Sequence, residues 1–134
     1  MRENYMRLAM ELALKGGNRV SPNPLVGAVI VKDGEIIGQG YHEEYGGPHA
    51  EINALRSAAR SPEEATMYVT LEPCCHHGKT PPCTEAVIRS GISKVVVGAK
   101  DPNPLVAGRG MEILRESGIS VEMSALESEC EALN

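Results

Sequence analysis

Two short stretches of this sequence contain residues of the types that bind a metal ion and use it. His49 lies two residues before Glu51, and a later segment begins with Pro73-Cys74-Cys75 and ends at Cys83. Imidazole and thiolate groups are common zinc ligands, and a catalytic zinc takes three protein ligands and leaves its fourth position to water. A carboxylate that is not a ligand can carry protons between that water and a leaving group. The pattern therefore predicts a hydrolytic zinc site.

Spacing alone does not decide the complete ligand set. Cys74 and Cys75 are adjacent, so either thiolate could be the ligand at that end of the segment. A structural zinc would instead take four protein ligands. The same segment could supply the fourth from Cys75, His76 or His77. Glu51 favours the open, catalytic arrangement, although a single first-turn glutamate can also simply complement a helix dipole.

Composition and charge exclude several classes of function. The chain has 134 residues, enough for one domain, and it carries four cysteines, a net charge of −5 and no Trp or Phe. Nucleic-acid interfaces need a basic surface, and single-strand binders add aromatic platforms, so neither is expected here. No run of about 18 apolar residues is present to span a membrane, and the N-terminus lacks a signal-peptide core. We expect a cytoplasmic protein whose cysteines bind metal instead of forming disulfides.

Hydrophobic periodicity predicts alternating helices and strands. A helix is expected over residues 4–15, followed by a hairpin of strands 26–31 and about 36–42 around the Asp33-Gly34 turn. The later elements are helix 49–60, strand 67–71, helix 84–90, strand 94–98, helix 108–117, strand 119–123 and helix 125–133. Strands that are joined through helices should be parallel. The prediction is an α/β fold with a mixed five-stranded sheet covered by helices on both faces.

These elements place the metal-binding residues at one edge of the sheet. His49 opens a helix after the second strand, Cys74 follows the third strand directly, and Cys83 leads into the next helix. In α/β sheets, ligands bind outside the carboxyl ends of the strands, and helix N-termini favour thiolates. Glu51 can reach the same metal site only if His49 lies in an irregular first turn, where Pro48 places it.

Four stretches together resemble one known family. They are His49-Ala50-Glu51, the segment from Pro73 to Cys83 with its Gly-Lys-Thr-Pro-Pro insert, residues 21–27 and residues 101–104. All are similar to the deaminase domain of the bifunctional riboflavin-biosynthesis deaminase/reductases, and the resemblance covers essentially the whole chain. Other zinc deaminases have the compact pattern P-C-x-x-C. The eight residues between Cys74 and Cys83 point away from those enzymes.

The resemblance implies a cytidine-deaminase-like three-layer α/β/α sandwich, with residues 1–134 as a zinc-dependent deaminase domain and the reductase domain absent. It implies one Zn²⁺ per chain, held by His49, Cys74 and Cys83, and it thereby selects Cys74 over Cys75. The implied reaction is hydrolytic deamination of diaminohydroxyphosphoribosylaminopyrimidine by zinc-bound hydroxide, with Glu51 as the proton shuttle. No nicotinamide cofactor is expected in this domain, and a homo-oligomer is expected.

The phosphorylated substrate needs further contacts from the protein. The candidates are Asn23, His42, His76, Lys79, Asp101 and Asn103. Lys79 is the first choice for the phosphate, while the amide of Asn23 suits a pyrimidine edge. Each candidate also has a plainer interpretation as a solvated or turn residue. Two alternatives to this function remain: a deaminase of another base, and a non-catalytic binding module stabilised by a zinc with four protein ligands.

Overall fold

A computed structural model of the protein describes residues 2–75 and 81–134. Its elements in chain order are α1 (Arg2–Leu14), a 3₁₀ helix (Gly17–Val20), β1 (Gly27–Lys32), β2 (Glu35–Tyr41), α2 (Ala50–Ser57), β3 (Thr66–Leu71), α3 (Cys83–Ser90), β4 (Lys94–Ala99), α4 (Arg109–Glu116), β5 (Ser120–Met123) and α5 (Glu127–Glu131). The predicted alternation is confirmed. Within the described ranges, none of the helices has the length and apolar character required to cross a membrane.

The strands form one mixed sheet in the order β2-β1-β3-β4-β5. β1 runs antiparallel to both β2 and β3, whereas β3, β4 and β5 are parallel to one another. The reversal between β1 and β2 occurs at Asp33 (φ 51°) and Gly34 (φ 78°), the positive-φ pair that a tight hairpin turn requires. The prediction of a mixed five-stranded sheet is confirmed. Because β1 is antiparallel to its neighbours, its amino end lies beside the carboxyl ends of β2 and β3.

Two hydrophobic cores lie on opposite faces of this sheet. Ala28 and Ile30 of β1 join the core beneath α2, α3 and α4, whereas Val29 and Val31 join the core beneath α1 and α5. Successive side chains of a strand point to opposite faces, so burial of all four explains the unbroken apolar run in the sequence. The three-layer α/β/α arrangement is confirmed.

Two glycines of β2 allow α2 to lie directly on the sheet. A Cβ on Gly38 would meet the backbone oxygen of Ala54 at 2.6 Å, and one on Gly40 would meet the backbone nitrogen of Ala54 at 2.6 Å. No side chain therefore separates the backbone of α2 from that of the strand. This contact sets the height above the sheet of the helix whose first turn contains Glu51.

Two helices are shorter than the sequence predicts. α2 ends at Ser57 because the chain turns to the sheet, where the N–H of Ala59 donates to the oxygen of Ile37 at 2.8 Å. α5 begins only at Glu127, because the Ser124 hydroxyl accepts the N–H of Leu126 at 3.0 Å and forms a turn there instead. In both places a hydrogen bond that periodicity cannot show determines the boundary.

Candidate metal centre and active site

The three predicted zinc ligands lie together at one edge of the sheet. His49 is the N-cap residue of α2 with an extended backbone, Cys74 follows β3, and Cys83 is the first residue of α3. Their ligand atoms all lie within 4.8 Å of one another. Nδ1 of His49 is 3.9 Å from Sγ of Cys74 and 3.4 Å from Sγ of Cys83.

Both the donor set and its spacing fit a zinc ion. Zn–S bonds of about 2.3 Å and Zn–N bonds of about 2.0 Å place tetrahedral ligand atoms roughly 3.5–3.8 Å apart, close to the distances found here. One imidazole and two thiolates are a ligand set of catalytic zinc sites, which leave the fourth position for water. Within the described part of the chain, Cys75 does not belong to the cluster. The geometry therefore agrees with the selection of Cys74.

Backbone donors at the start of α3 hold Cys74 in place. The N–H of Cys83 donates to Sγ of Cys74 at 3.2 Å, and the N–H of Thr84 donates to the carbonyl oxygen of Cys74 at 3.2 Å. The N–H groups of a helix's first turn have no partner within the helix itself, so they are free to bind the thiol and the carbonyl oxygen of Cys74. The same turn that supplies one ligand thus orients the other.

The ionisation of the ligands reflects their contact with one another. The hydrogen bond with the Cys83 side chain, followed by that with His49, lowers the pKa of Cys74 to about 4. The same hydrogen bond with Cys74, together with burial, raises the pKa of Cys83 far above its usual range. The hydrogen bond with Cys74 also raises the pKa of His49. A bound divalent cation would deprotonate the Cys83 thiol despite this raised pKa, because a thiol that coordinates a metal loses its proton.

Glu51 lies beside the ligands with its side chain almost completely buried. Its exposed fraction is 3%, and it lies in the first turn of α2. Burial, to which the charge of Cys74 adds, raises the pKa of its carboxyl to about 7. Because His49 is the N-cap residue and not part of the regular helix, both side chains face the same space, as the sequence analysis required.

A cavity of ≈ 290 Å³ opens beside the ligand cluster. Its lining residues are Asn23, Pro24, Val26, His42, His49, Glu51, Leu71, Glu72, Cys74 and Asp101. The antiparallel orientation of β1 explains this set, because it brings the loop before β1 to the same edge as the loops after β2, β3 and β4. The cavity is therefore surrounded by four segments that are distant in sequence.

His42 orients Asn23 within this lining. The His42 side chain is buried, with Nδ1 3.0 Å from the carbonyl oxygen of Pro48 and Nε2 3.1 Å from Nδ2 of Asn23. Since a carbonyl can only accept, Nδ1 carries the proton, and Nε2 of the neutral ring accepts from the Asn23 amide. This arrangement leaves Oδ1 of Asn23 available as an acceptor for a molecule in the cavity.

The other predicted substrate contacts have different positions. Asp101 lines the cavity, and its Oδ1 accepts the N–H of Asn103 at 2.9 Å. Asn103 does not line the cavity; its Oδ1 accepts the N–H of Leu105 at 3.0 Å and shapes the turn. His76 and Lys79 lie outside the described residues.

Glu72 is a buried residue of the site that the sequence analysis missed. Its Oε1 accepts the N–H groups of Asp101 at 3.1 Å and Gly108 at 2.9 Å. Its Oε2 accepts those of Gly110 at 2.9 Å and Met111 at 3.2 Å. The available signal was an acidic residue at the end of an apolar strand, immediately before the Pro-Cys pair, where a solvated glutamate would be out of place.

Comparison with known proteins agrees with this geometry. The family described as the cytidine and deoxycytidylate deaminase zinc-binding region matches residues 1–99. The chain belongs to this family of zinc-binding deaminases, and His49, Cys74 and Cys83 are positioned to hold one metal ion.

Individual relatives show which members of this family the chain resembles. The riboflavin biosynthesis protein RibD of Aquifex aeolicus is 56% identical over 98% of this chain, which spans 37% of that relative. The diaminohydroxyphosphoribosylamino-pyrimidine deaminase of Buchnera aphidicola is 48% identical over 97% of this chain and 88% of its own length. The crystal structure of a diaminohydroxyphosphoribosylaminopyrimidine deaminase/5-amino-6-(5-phosphoribosylamino)uracil reductase from Thermotoga maritima has a TM-score of 0.92 and 54% identity, covering 98% of this chain and 38% of that one.

The chain thus spans 37% of the Aquifex relative but 88% of the Buchnera deaminase. The resemblance to the deaminase domain of the riboflavin-biosynthesis proteins is confirmed, and so is the cytidine-deaminase-like fold. The matched share includes all three ligand positions and Glu51, which fall within residues 1–99.

Proposed function

We propose that this chain hydrolytically deaminates diaminohydroxyphosphoribosylaminopyrimidine, releasing ammonia and an aminopyrimidinedione ribotide in riboflavin biosynthesis. The observation that carries this proposal is that two members of the ligand cluster, His49 and Cys74, line the same cavity as the buried Glu51. A water activated by the metal and a proton carried by Glu51 can therefore both reach a pyrimidine bound in this cavity. The name of the Buchnera relative supports this substrate, because that protein is similar to the chain over 88% of its own length.

The chain's own residues account for the movement of protons. Zn²⁺ bound by His49, Cys74 and Cys83 would supply an activated water at neutral pH. Glu51 would carry both protons of the attacking water in turn, the first to a ring nitrogen and the second to the departing amine. The water oxygen forms a bond to the ring carbon, the carbon–nitrogen bond breaks, and the nitrogen leaves as ammonia. Burial of Glu51 keeps bulk water from competing for its proton.

The walls of the cavity can orient a pyrimidine ring. Oδ1 of Asn23 is held as an acceptor by His42, and Asp101 offers a second acceptor across the lining. Acceptors suit a substrate whose edges carry amino groups and ring N–H groups. The cavity of ≈ 290 Å³ is near the lower end of the range for small-molecule sites, about 300–1,000 Å³, which suits one heterocycle with its ribose phosphate at the opening.

The phosphate contact stays a prediction. Among the described lining residues there is no lysine or arginine, so Lys79, and with it His76, remains the candidate. If Lys79 binds the phosphate, Lys79→Ala raises KM for the ribotide by at least about tenfold and lowers kcat less, since a hydrogen bond to a charged group contributes about 1.5–3 kcal/mol. Steady-state kinetics test this, with the exposed Lys100→Ala as the control. Unchanged kinetics would clear Lys79 of this role.

The decisive experiment measures ammonia release by the zinc-loaded protein from the diaminopyrimidine ribotide and from cytidine. Release from the ribotide alone is the expected result. Release from cytidine alone would mean that the long cysteine segment does not mark the substrate. Failure with both, at full zinc occupancy, would favour a binding module, and that alternative further requires a fourth protein ligand.

Other attributes belong to the same proposal. We propose that residues 1–134 form a single deaminase domain without a nicotinamide site, supported by one sheet that runs from β2 to β5. We also propose a cytoplasmic location, where cysteines stay reduced and can bind metal. A homo-oligomer is part of the same proposal, and light scattering tests it.

A further inference from the structure

The carboxylate of Glu72 binds the loop after β4 and the start of α4 at the same time. Its two oxygens accept four backbone N–H groups, those of Asp101 and Gly108 on Oε1 and those of Gly110 and Met111 on Oε2. The first pair belongs to the loop after β4, and the second pair to the first turn of α4. One side chain therefore fixes both ends of the segment that forms one side of the cavity.

These contacts require two acceptor oxygens in the interior. Glu72 is 6% exposed, and a buried charge is costly unless it is fully hydrogen-bonded. Here all four partners are donors, and two of them are the otherwise unpaired N–H groups of a helix start, which favours negative charge. The contacts therefore need a side chain that presents two acceptor oxygens, which glutamate does and glutamine does not.

Glu72 also links this segment to the metal site. It is separated from the ligand Cys74 only by Pro73, and its N–H donates to the oxygen of Ala99 at 2.8 Å. A Cβ on Gly110 would clash with the carbonyl oxygen of Pro73, so the start of α4 packs directly on the backbone of the ligand segment. If the loop after β4 moved, its distance from the metal ligand Cys74 would therefore change.

We propose that Glu72 is a positioning residue, which acts through the backbone of Asp101 to set the distance between that wall of the cavity and Cys74. This inference rests on the proposed function, since the wall is expected to contact the pyrimidine. Glu72 moves no proton and binds no metal in this role. Glu72 determines how well the substrate fits over the ligand cluster. Its loss should therefore raise KM more than it lowers kcat.

The test compares Glu72→Gln with Glu112→Gln, the same change at an exposed position in the first turn of α4. Glutamine replaces one acceptor oxygen with an NH₂ donor that would face two backbone N–H groups. For Glu72→Gln we expect KM for the ribotide to rise at least about tenfold while kcat per bound zinc changes less, because hydrogen bonds to a charged group are worth about 1.5–3 kcal/mol each. Amide exchange at Asp101 and Gly108 should accelerate, and Glu112→Gln should change neither quantity.

Unchanged KM and unchanged amide exchange in Glu72→Gln would overturn the proposal. So would a fall in zinc content and folded fraction with an unaltered KM, because that result describes a structural role only. If Glu72→Gln does not fold, Glu72→Asp replaces it. The shorter carboxylate keeps both acceptors but draws them back from the N–H groups, so its KM should be higher than that of the wild type, and an unchanged KM would overturn the proposal. If the wild-type protein releases no ammonia from the ribotide, the proposed function is refuted. Amide exchange at Asp101 and Gly108 still decides whether Glu72 holds the wall.

Discussion

The base of the cavity consists of the lining residues His49, Glu51 and Cys74, together with the ligand Cys83 beside them, and it differs from the two walls in how its functional groups are held. In the base, the groups are ionisable side chains located at or beside the first turns of α2 and α3. The walls are the loop containing Asn23 and the loop containing Asp101, which other side chains hold in place.

This difference separates the reaction from the choice of substrate. The groups of the base interact with one another, and their pKa values depend on that contact. The walls present the amide of Asn23 and the side chain of Asp101, whose positions depend on hydrogen bonds that Asn23 donates to His42 and the Asp101 backbone donates to Glu72. Substitutions in the base should therefore alter metal binding or kcat, and substitutions in the walls should alter KM.

The largest effect is expected from Glu51→Gln in the base. The substitution keeps the shape of the side chain but removes the proton carrier, so kcat should fall about 10²–10⁴-fold. Zinc content should be unchanged, because Glu51 is outside the ligand cluster. Ammonia release and atomic absorption measure the two quantities, with the exposed Glu43→Gln as the control. Retained turnover would remove Glu51 from the reaction.

The next effect concerns the ligand itself. Cys74→Ser should weaken zinc binding by more than about 100-fold, since loss of an outer contact to a ligand already costs about 10–100-fold. The adjacent Cys75→Ser is the matched control and should bind zinc as the wild type does, because Cys75 lies outside the cluster described. Competition with a chromophoric chelator measures both affinities. Equal losses would mean that the two cysteines share the metal.

A smaller effect is expected in the wall that contains Asn23. Asn23→Ala removes one neutral hydrogen bond to the substrate and should raise KM about tenfold or less. His42→Ala should have a similar effect by releasing Asn23, and the double variant should be no worse than Asn23→Ala alone. Steady-state kinetics on the four proteins complete the cycle. Additive losses would show that His42 contacts the substrate directly.

The smallest effect is expected at Asn134, which is not one of the residues that line the cavity. Its side-chain amide pairs with the backbone of Leu25, accepting its N–H at 2.7 Å and donating to its carbonyl oxygen at 3.1 Å. The pair is exposed, so Asn134→Ala should change KM only about twofold to threefold. An effect as large as that of Asn23→Ala would show that this wall is held chiefly from the C-terminal end of the chain.

The sequence allowed the fold and the base of the cavity to be predicted because their signals are local. Apolar runs and glycine or proline breaks define the strands, and the spacing around His49 and Cys74 indicates metal ligands. The role of Glu72 could not be predicted, because its four partners lie 29 to 39 residues further along the chain. The sequence could not distinguish a turn residue from a substrate contact at Asn103, because an asparagine side chain suits both. Only the folded loop shows that its Oδ1 accepts the N–H of Leu105.

The contact between β2 and α2 has a consequence for engineering the metal site. Gly38 and Gly40 lie on a strand that contributes no ligand, yet the absence of their side chains determines how closely the helix approaches. An added methyl group would lift α2 and shift His49 relative to the two thiols on the opposite side of the cluster. Metal affinity is thus adjustable from the edge strand β2, at positions that a search for ligands would overlook.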